Sequence, residues 1–357
     1  MEIFKQVINI IASPALLISG TMIIFLTALW SRAIWKPLPA KIMLGAAILF
    51  LALSFQDPNF HRIITAPDNV PMVGMLFLVG FFVWLGLTKA KENDDRLDKG
   101  LPVAEAEENE KVLVWPNLVY TELIVLVLCT ALLTVWAIVL KAPLEQPANP
   151  ADSPNPSKAP WYFLGLQEML VYYDPWLAGV VFPTLIIFGL MAIPFIDVNP
   201  KGSGYFTFKE RKWEISVFLF GFLILWVLLI ILGTFLRGPN WNFFGPYEFW
   251  DVHKVLVLNN VNLSEYFWVL LLGKALPTQW YIRESIGFIL VGVYMLVLPG
   301  VLAKTIFKRF YQRMGAARFY ISCVLFLVML ALPLKMYLRW LFNLKYIIAI
   351  PEAFFNI

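Results

Sequence analysis

The chain has 357 residues, of which 60% are hydrophobic, 16% aromatic and only 15% charged, against roughly a quarter charged in a typical soluble domain. Its net charge of +4 is confined to a few short loops. These figures exclude a soluble globular domain, a disordered chain and a nucleic-acid binder. Two cysteines, Cys129 and Cys323, lie in separate apolar stretches and offer no disulfide framework, CxxC pair or haem-attachment motif. Composition therefore points to an all-α polytopic membrane protein, expected to lack a redox centre of its own.

A spanning helix needs about 20 mostly apolar residues, and eight stretches qualify or nearly do. No charge separates Lys5 from Arg32, and Ile42 to Gln56 is a shorter run. Asn69–Thr88 and Val112–Leu140 follow, the latter interrupted only by Glu122. The remaining four are Pro175–Ile196, Ile215–Leu236, Ser285–Ala303 and Phe319–Leu334. The first run is too long for a signal peptide and has no cleavage site after it.

Orientation follows from the basic residues. If the first span runs inward, the inner loops carry Arg32, Lys36 and Lys41, then Lys89, Lys91, Arg96, Lys99 and Lys111. They also carry Lys201, Lys209, Arg211 and Lys212, then Lys304, Lys308, Arg309, Arg313 and Arg318. Both termini and the proline-rich loop Ala142–Asp174 are then expected outside, with the protein in a bacterial cytoplasmic membrane.

Four blocks emerge. Residues 1–90 form a three-span extension, and 91–111 a charged, solvated inner linker. Residues 112–236 hold three spans and two long loops. Residues 237–357 add two spans and interfacial material. The loop entering the fifth span is the most informative. Prolines from Pro143 to Pro160 forbid regular helix. Trp161 to Leu170 then reads as a short amphipathic helix led by aromatics. Such a segment walls a pocket, or simply anchors the chain at the membrane surface.

Five ordered stretches carry a resemblance: Trp115-Pro116-Asn117; the proline-rich Pro147–Pro154; Ala159-Pro160-Trp161-Tyr162; Pro194-Phe195-Ile196-Asp197 with Asn199; and Phe206–Lys212 leading into Phe218-Leu219-Phe220-Gly221. Together they make residues 112–236 resemble the C-terminal half of cytochrome b, most closely subunit IV of the cytochrome b6f complex. The resemblance covers about a third of the chain. It implies three spans of a cytochrome b C-terminal core in a split cytochrome b of a quinol:cytochrome c oxidoreductase, coupling electron transfer to proton translocation. Its implied partners are a haem-bearing cytochrome b subunit, a Rieske [2Fe–2S] protein, a c-type cytochrome and lipids.

Ligating two b haems through paired histidines takes four imidazoles. This chain has two, His61 and His253, neither within an expected span, so the haems are expected on the partner. The substrate implied is quinol, with menaquinol suggested by one departure from the pattern. Where the family's PEWY motif has its proton-accepting glutamate, this sequence has Pro160. Glu168 is the expected substitute, with Tyr162 as the matched tyrosine and Gln167 as a hydrogen-bond partner of the quinol head. Pro160, Trp161, Tyr162, Gln167 and Glu168 thus outline the expected outer quinol pocket, with Asp174 more remote. Glu122, read as the only charge inside a span, is an inner-side proton-relay candidate, or equally a carboxylate placed by the helix dipole. The aromatic segment Arg237–Asp251 reads as a docking surface or as a loop packed on its neighbours. The rival to the whole reading is a haem-free scaffold subunit of a respiratory supercomplex with a degenerate quinol pocket.

Overall fold

A computed structural model describes residues 2–107, 110–140, 144, 147–199 and 204–357. Pro143, Glu145 and Gln146 of the outer loop, and Lys201 of the inner basic set, lie outside the described residues. Eight helices are long and apolar enough to cross a membrane: Pro14–Ser31, Pro37–Ser54, Val70–Asp98, Val114–Val139, Leu177–Ile196, Lys212–Leu236, Ser285–Lys304 and Ala316–Phe342. They are called the first to eighth spans below. The chain is an all-α polytopic membrane protein. Its only paired strands among the described residues, β1 (Ala349–Ile350) and β2 (Phe355–Asn356), form an antiparallel hairpin.

The elements differ from the sequence expectation in three places. The first apolar run is two helices, Glu2–Ile11 and the first span, because Pro14 opens a new helix after Ser13. Proline is favoured at that first position because its missing N–H is unpaired there anyway. The third span continues as helix to Asp98, well into the charged stretch. The eighth span continues past Leu334 to Phe342 and takes in Lys335, which is 1% exposed. Glu122 is therefore not the only charge inside a span. The Lys335 ammonium donates to the Ile357 backbone oxygen at 3.3 Å.

The core is built around the sixth span. Ile224, Leu228, Leu229, Leu232 and Leu236 meet Ala12 and Ile18 from the N-terminal helices, Tyr172 to Ala178 before and in the fifth span, and Leu332 and Met336 of the eighth. Two glycines let the short helix Leu164–Met169 lie against it. A Cβ on Gly233 would stand 3.1 Å from the Leu164 carbonyl oxygen, and one on Gly165 would stand 3.4 Å from Ile230.

Polar ties secure the N-terminal block at both ends. On one side Asp57 caps the helix Pro58–Ile64, accepting from the Asn59 and Phe60 amides at 2.9 and 3.0 Å, and pairs with Lys5 at 2.6 Å. Burial works to raise its carboxyl, but the Lys5 hydrogen bond and those two amides hold it below the usual range. On the other side buried Asp94 pairs with Arg32 at 3.1 Å and accepts from the Lys209 amide at 3.0 Å. Asn93 donates to the Phe206 carbonyl at 2.9 Å. The end of the third span is thereby bound to the loop before the sixth, so this part of the expected linker packs rather than lying free in solvent.

Candidate functional site

Helical geometry divides the segment after the proline-rich loop into two faces. Trp161–Phe163 makes one tight turn and Leu164–Met169 a short helix. Leu164, Gly165, Glu168 and Met169 turn inward and are buried on the sixth span. Pro160, Tyr162 and Phe163 stay exposed. Trp161 meets Tyr162 edge-on with ring centres 5.5 Å apart, and Tyr162 lies 4.7 Å from Phe163. The three rings form an outward aromatic ridge.

The expectation that Glu168 turns toward an open pocket is not met. It is 0% exposed. Its carboxylate accepts two hydrogen bonds from Arg237, Nε at 2.9 Å and Nη2 at 2.6 Å. Arg237 also donates to the Trp241 carbonyl at 3.0 Å. The inward face of a two-turn helix leaves a carboxylate no water, so only a partner can stabilise its charge; the planar guanidinium does this through two parallel bonds. Tyr172 donates to the same carboxylate at 3.5 Å. Burial, then the nearby Glu168 charge, raises its phenol above the ordinary range. Arg237, treated as part of a surface segment in the sequence, is the residue that reasoning missed. Its signal was available: a lone arginine where an apolar span ends, and a glutamate on the buried stripe of a neighbouring helix.

Gln167 serves the loop. It accepts from the Ala159 amide and donates to the Ser157 carbonyl, both at 2.8 Å, which clamps the proline-rich segment over the helix. Lys158 donates to the Thr234 carbonyl at 2.8 Å and sits 4.8 Å from the centre of the Trp250 ring. Burial pushes its ammonium down to about 8. Asp174 accepts from the Asn356 side chain at 2.9 Å, so the C-terminal hairpin closes over the entry to the fifth span. Glu122 lies apart from this group, exposed in the first turn after Leu118 on the fourth span.

The segment Arg237–Asp251 packs largely on the chain's own N-terminal block. Tyr247 stacks on Phe60 at 5.7 Å, shares a hydrogen bond with Ser54 at 2.6 Å and accepts at its carbonyl from Asn59 at 3.2 Å. Phe249 remains exposed. His61 lies edge-on to Phe55, and His253 lies in the loop after Asp251. Neither histidine lies on one of the eight spans. Among the described residues no cluster of three His, Cys, Asp or Glu side chains is placed to hold a metal.

Residues 147–247 match the family model described as Cytochrome b(C-terminal)/b6/petD. Cytochrome b of Allochromatium vinosum is similar, 31% identical over 96 residues, covering 26% of this chain and 23% of that protein. The chain thus spans about a quarter of the length of this curated relative. No solved structure matches it. The ridge, the Glu168–Arg237 pair and Tyr247 all fall inside the matched segment, and the chain carries at residues 147–247 a cytochrome b C-terminal-type domain within an eight-span membrane protein.

Proposed function

We propose that this chain is a membrane subunit of a bc- or b6f-type quinol:cytochrome c oxidoreductase and supplies one wall of its outer quinol-oxidation site. The observation that carries this reading is the exposed Pro160, Tyr162 and Phe163 beside half-buried Trp161 inside a cytochrome b-type domain. Exposed aromatics on a clamped turn suit an apolar quinone ring, and the Tyr162 hydroxyl is free to hydrogen-bond a quinol oxygen. The opposite wall, the b haems and the Rieske cluster are assigned in this reading to partner subunits. Quinol releases two protons and two electrons; this chain orients the ring, and the partners take the electrons. Menaquinol remains the substrate proposed, and the bacterial inner membrane the location, with the ridge on the outer side.

Within this reading Glu168 is a positioning residue. Its two hydrogen bonds from Arg237 fix the helix that presents Tyr162. Gln167 acts likewise through the loop. Glu122 keeps its proposed relay role on the opposite side of the membrane, where the fourth span begins.

The test is Tyr162→Ala in the assembled complex. Quinol oxidation is expected to fall at least about tenfold, the factor matched by ~1.4 kcal/mol of lost binding, with haem spectra and subunit composition unchanged. Full activity with normal quinol affinity would sink the proposal. The scaffold reading draws support from Pro160 in the motif's glutamate position and from the occupied Glu168, and it expects that full activity.

A further inference from the structure

A second region, where the fifth span of the matched segment faces the eighth span beyond it, has the chemistry of a ligand site. Between the fifth and eighth spans lies an apolar groove of about 500 Å³, lined by Phe188, Gly189 and Ala192 on one side and Tyr320, Ile321, Val324 and Leu325 on the other. Gly189 opens it: with no side chain there, the nearest neighbour of a Cβ would be Leu325 at 3.6 Å. Ile321, Val324 and Leu325 follow helical i, i+3, i+4 spacing, and Arg318 is one turn earlier on the same stripe. The stripe of the eighth span that lines the groove therefore carries an arginine one turn before Ile321.

That cation is not alone. The helix Lys308–Met314 packs beside the start of the eighth span, with Tyr311 lying 5.5 Å from Phe319 and 6.3 Å from Tyr320. It brings Lys308, Arg309 and Arg313 to the same end, and Lys304 precedes it. All five basic side chains are exposed, and no ion pair joins any of them to a described residue. The sequence contains no Asp or Glu between Glu284 and Glu352. Some basic residues elsewhere are paired locally, as Arg211 is with Asp197 at 2.8 Å. Here a row of cations at the mouth of an apolar slot has no internal counter-ion.

We propose that this groove binds one anionic phospholipid, with an acyl chain between the fifth and eighth spans and the phosphate headgroup at Arg318, Arg309 and Arg313. A lipid matches both halves of the site: the slot is apolar along its length, and the charge is concentrated at the end that meets the headgroup layer. A purely apolar partner helix would leave the cations unmatched.

The experiment uses the full chain, or its complex, stripped of lipid in detergent and offered dioleoylphosphatidylglycerol or dioleoylphosphatidylcholine, with binding read by native mass spectrometry and by the melting temperature. The anionic lipid is expected to bind and stabilise, and the zwitterionic lipid to do neither. Arg309→Gln, Arg313→Gln and Arg318→Gln are each expected to weaken binding about fivefold. Ala192→Phe, which fills the slot and keeps every charge, is expected to abolish it. Arg318→Lys keeps the charge and is expected to bind like the parent, separating electrostatics from misfolding. Equal binding of the two lipids, unchanged binding by Ala192→Phe or by the three Gln variants, or loss in Arg318→Lys would each overturn the proposal. So would a disulfide cross-link from Ala192→Cys to a helix of another subunit.

Discussion

The fourth and sixth spans are near twins in sequence terms and opposites in the fold. They have 26 and 25 residues, and over an 18-residue apolar stretch of each the mean hydropathies are 2.5 and 3.1, yet none of that stretch is buried within the chain in the first and 39% is in the second. Apolarity qualifies both to enter a bilayer; it does not say which one becomes the core. Lipid tails are as apolar as leucine, so helices associate in a membrane through close packing and hydrogen bonds. The sixth span has both: Gly233 admits Leu164, and Arg237 at its end binds Glu168. The fourth offers an even surface of Leu, Val and Ile with Cys129 exposed among them. In the proposed complex that surface is the one left for lipid or another subunit.

The largest expected effect bears on the polar anchor. Glu168→Gln or Arg237→Met leaves one buried charge without its partner and is expected to cost about 3–5 kcal/mol. The double variant Glu168→Met with Arg237→Met is expected to recover most of that stability, because removing both charges removes the burial penalty. Thermal or denaturant unfolding in detergent checks this; additive losses in the double variant would show that the pair is not what holds the sixth span.

A smaller effect tests packing directly. Gly233→Val forces a side chain toward the Leu164 carbonyl and is expected to cost about 1–3 kcal/mol. Leu128→Ala on the fourth span is expected to change the stability of the isolated chain by no more than about 0.5 kcal/mol. Equal losses at the two sites would abolish the contrast between the spans.

The smallest effect is pH-dependent. Burial disfavours the Lys158 ammonium and brings it from 10.5 to about 8. Between those values the unfolded chain binds more protons than the folded one, so stability rises with pH through that window, and the full penalty is present below it. The rise is at most about 1.4 kcal/mol per pH unit, reduced by the water that still reaches this partly exposed side chain. Lys158→Met is expected to flatten the curve between pH 8 and 10.5, and an unchanged slope would place its cause elsewhere.

Much of this was legible in the residues. Eight spans followed from runs of apolar length, and the ordered motifs from Trp115 to Gly221 pointed to the family that residues 147–247 match. The aromatic-led turn at Trp161–Tyr162 was recognisable from the prolines before it. Glu168 was singled out as the substitute for the motif glutamate and expected at the pocket, whereas it is buried beside Arg237. Its partner lies 69 residues away, and nothing in local pattern couples the two. Lys335 lies just beyond the apolar run ending at Leu334, yet the helix continues through it and its ammonium reaches the Ile357 backbone oxygen.

By itself, then, the sequence determined what local chemistry controls: the number of spans, the break at Pro160, the two-faced turn of 161–169, and the shortage of imidazoles. Only the tertiary structure decided which face of each helix meets another, because that depends on side chains far apart in the chain reaching one place. Arg237 beside Glu168, Asp94 beside Lys209, and one apolar helix buried while its twin stands bare are outcomes of that kind.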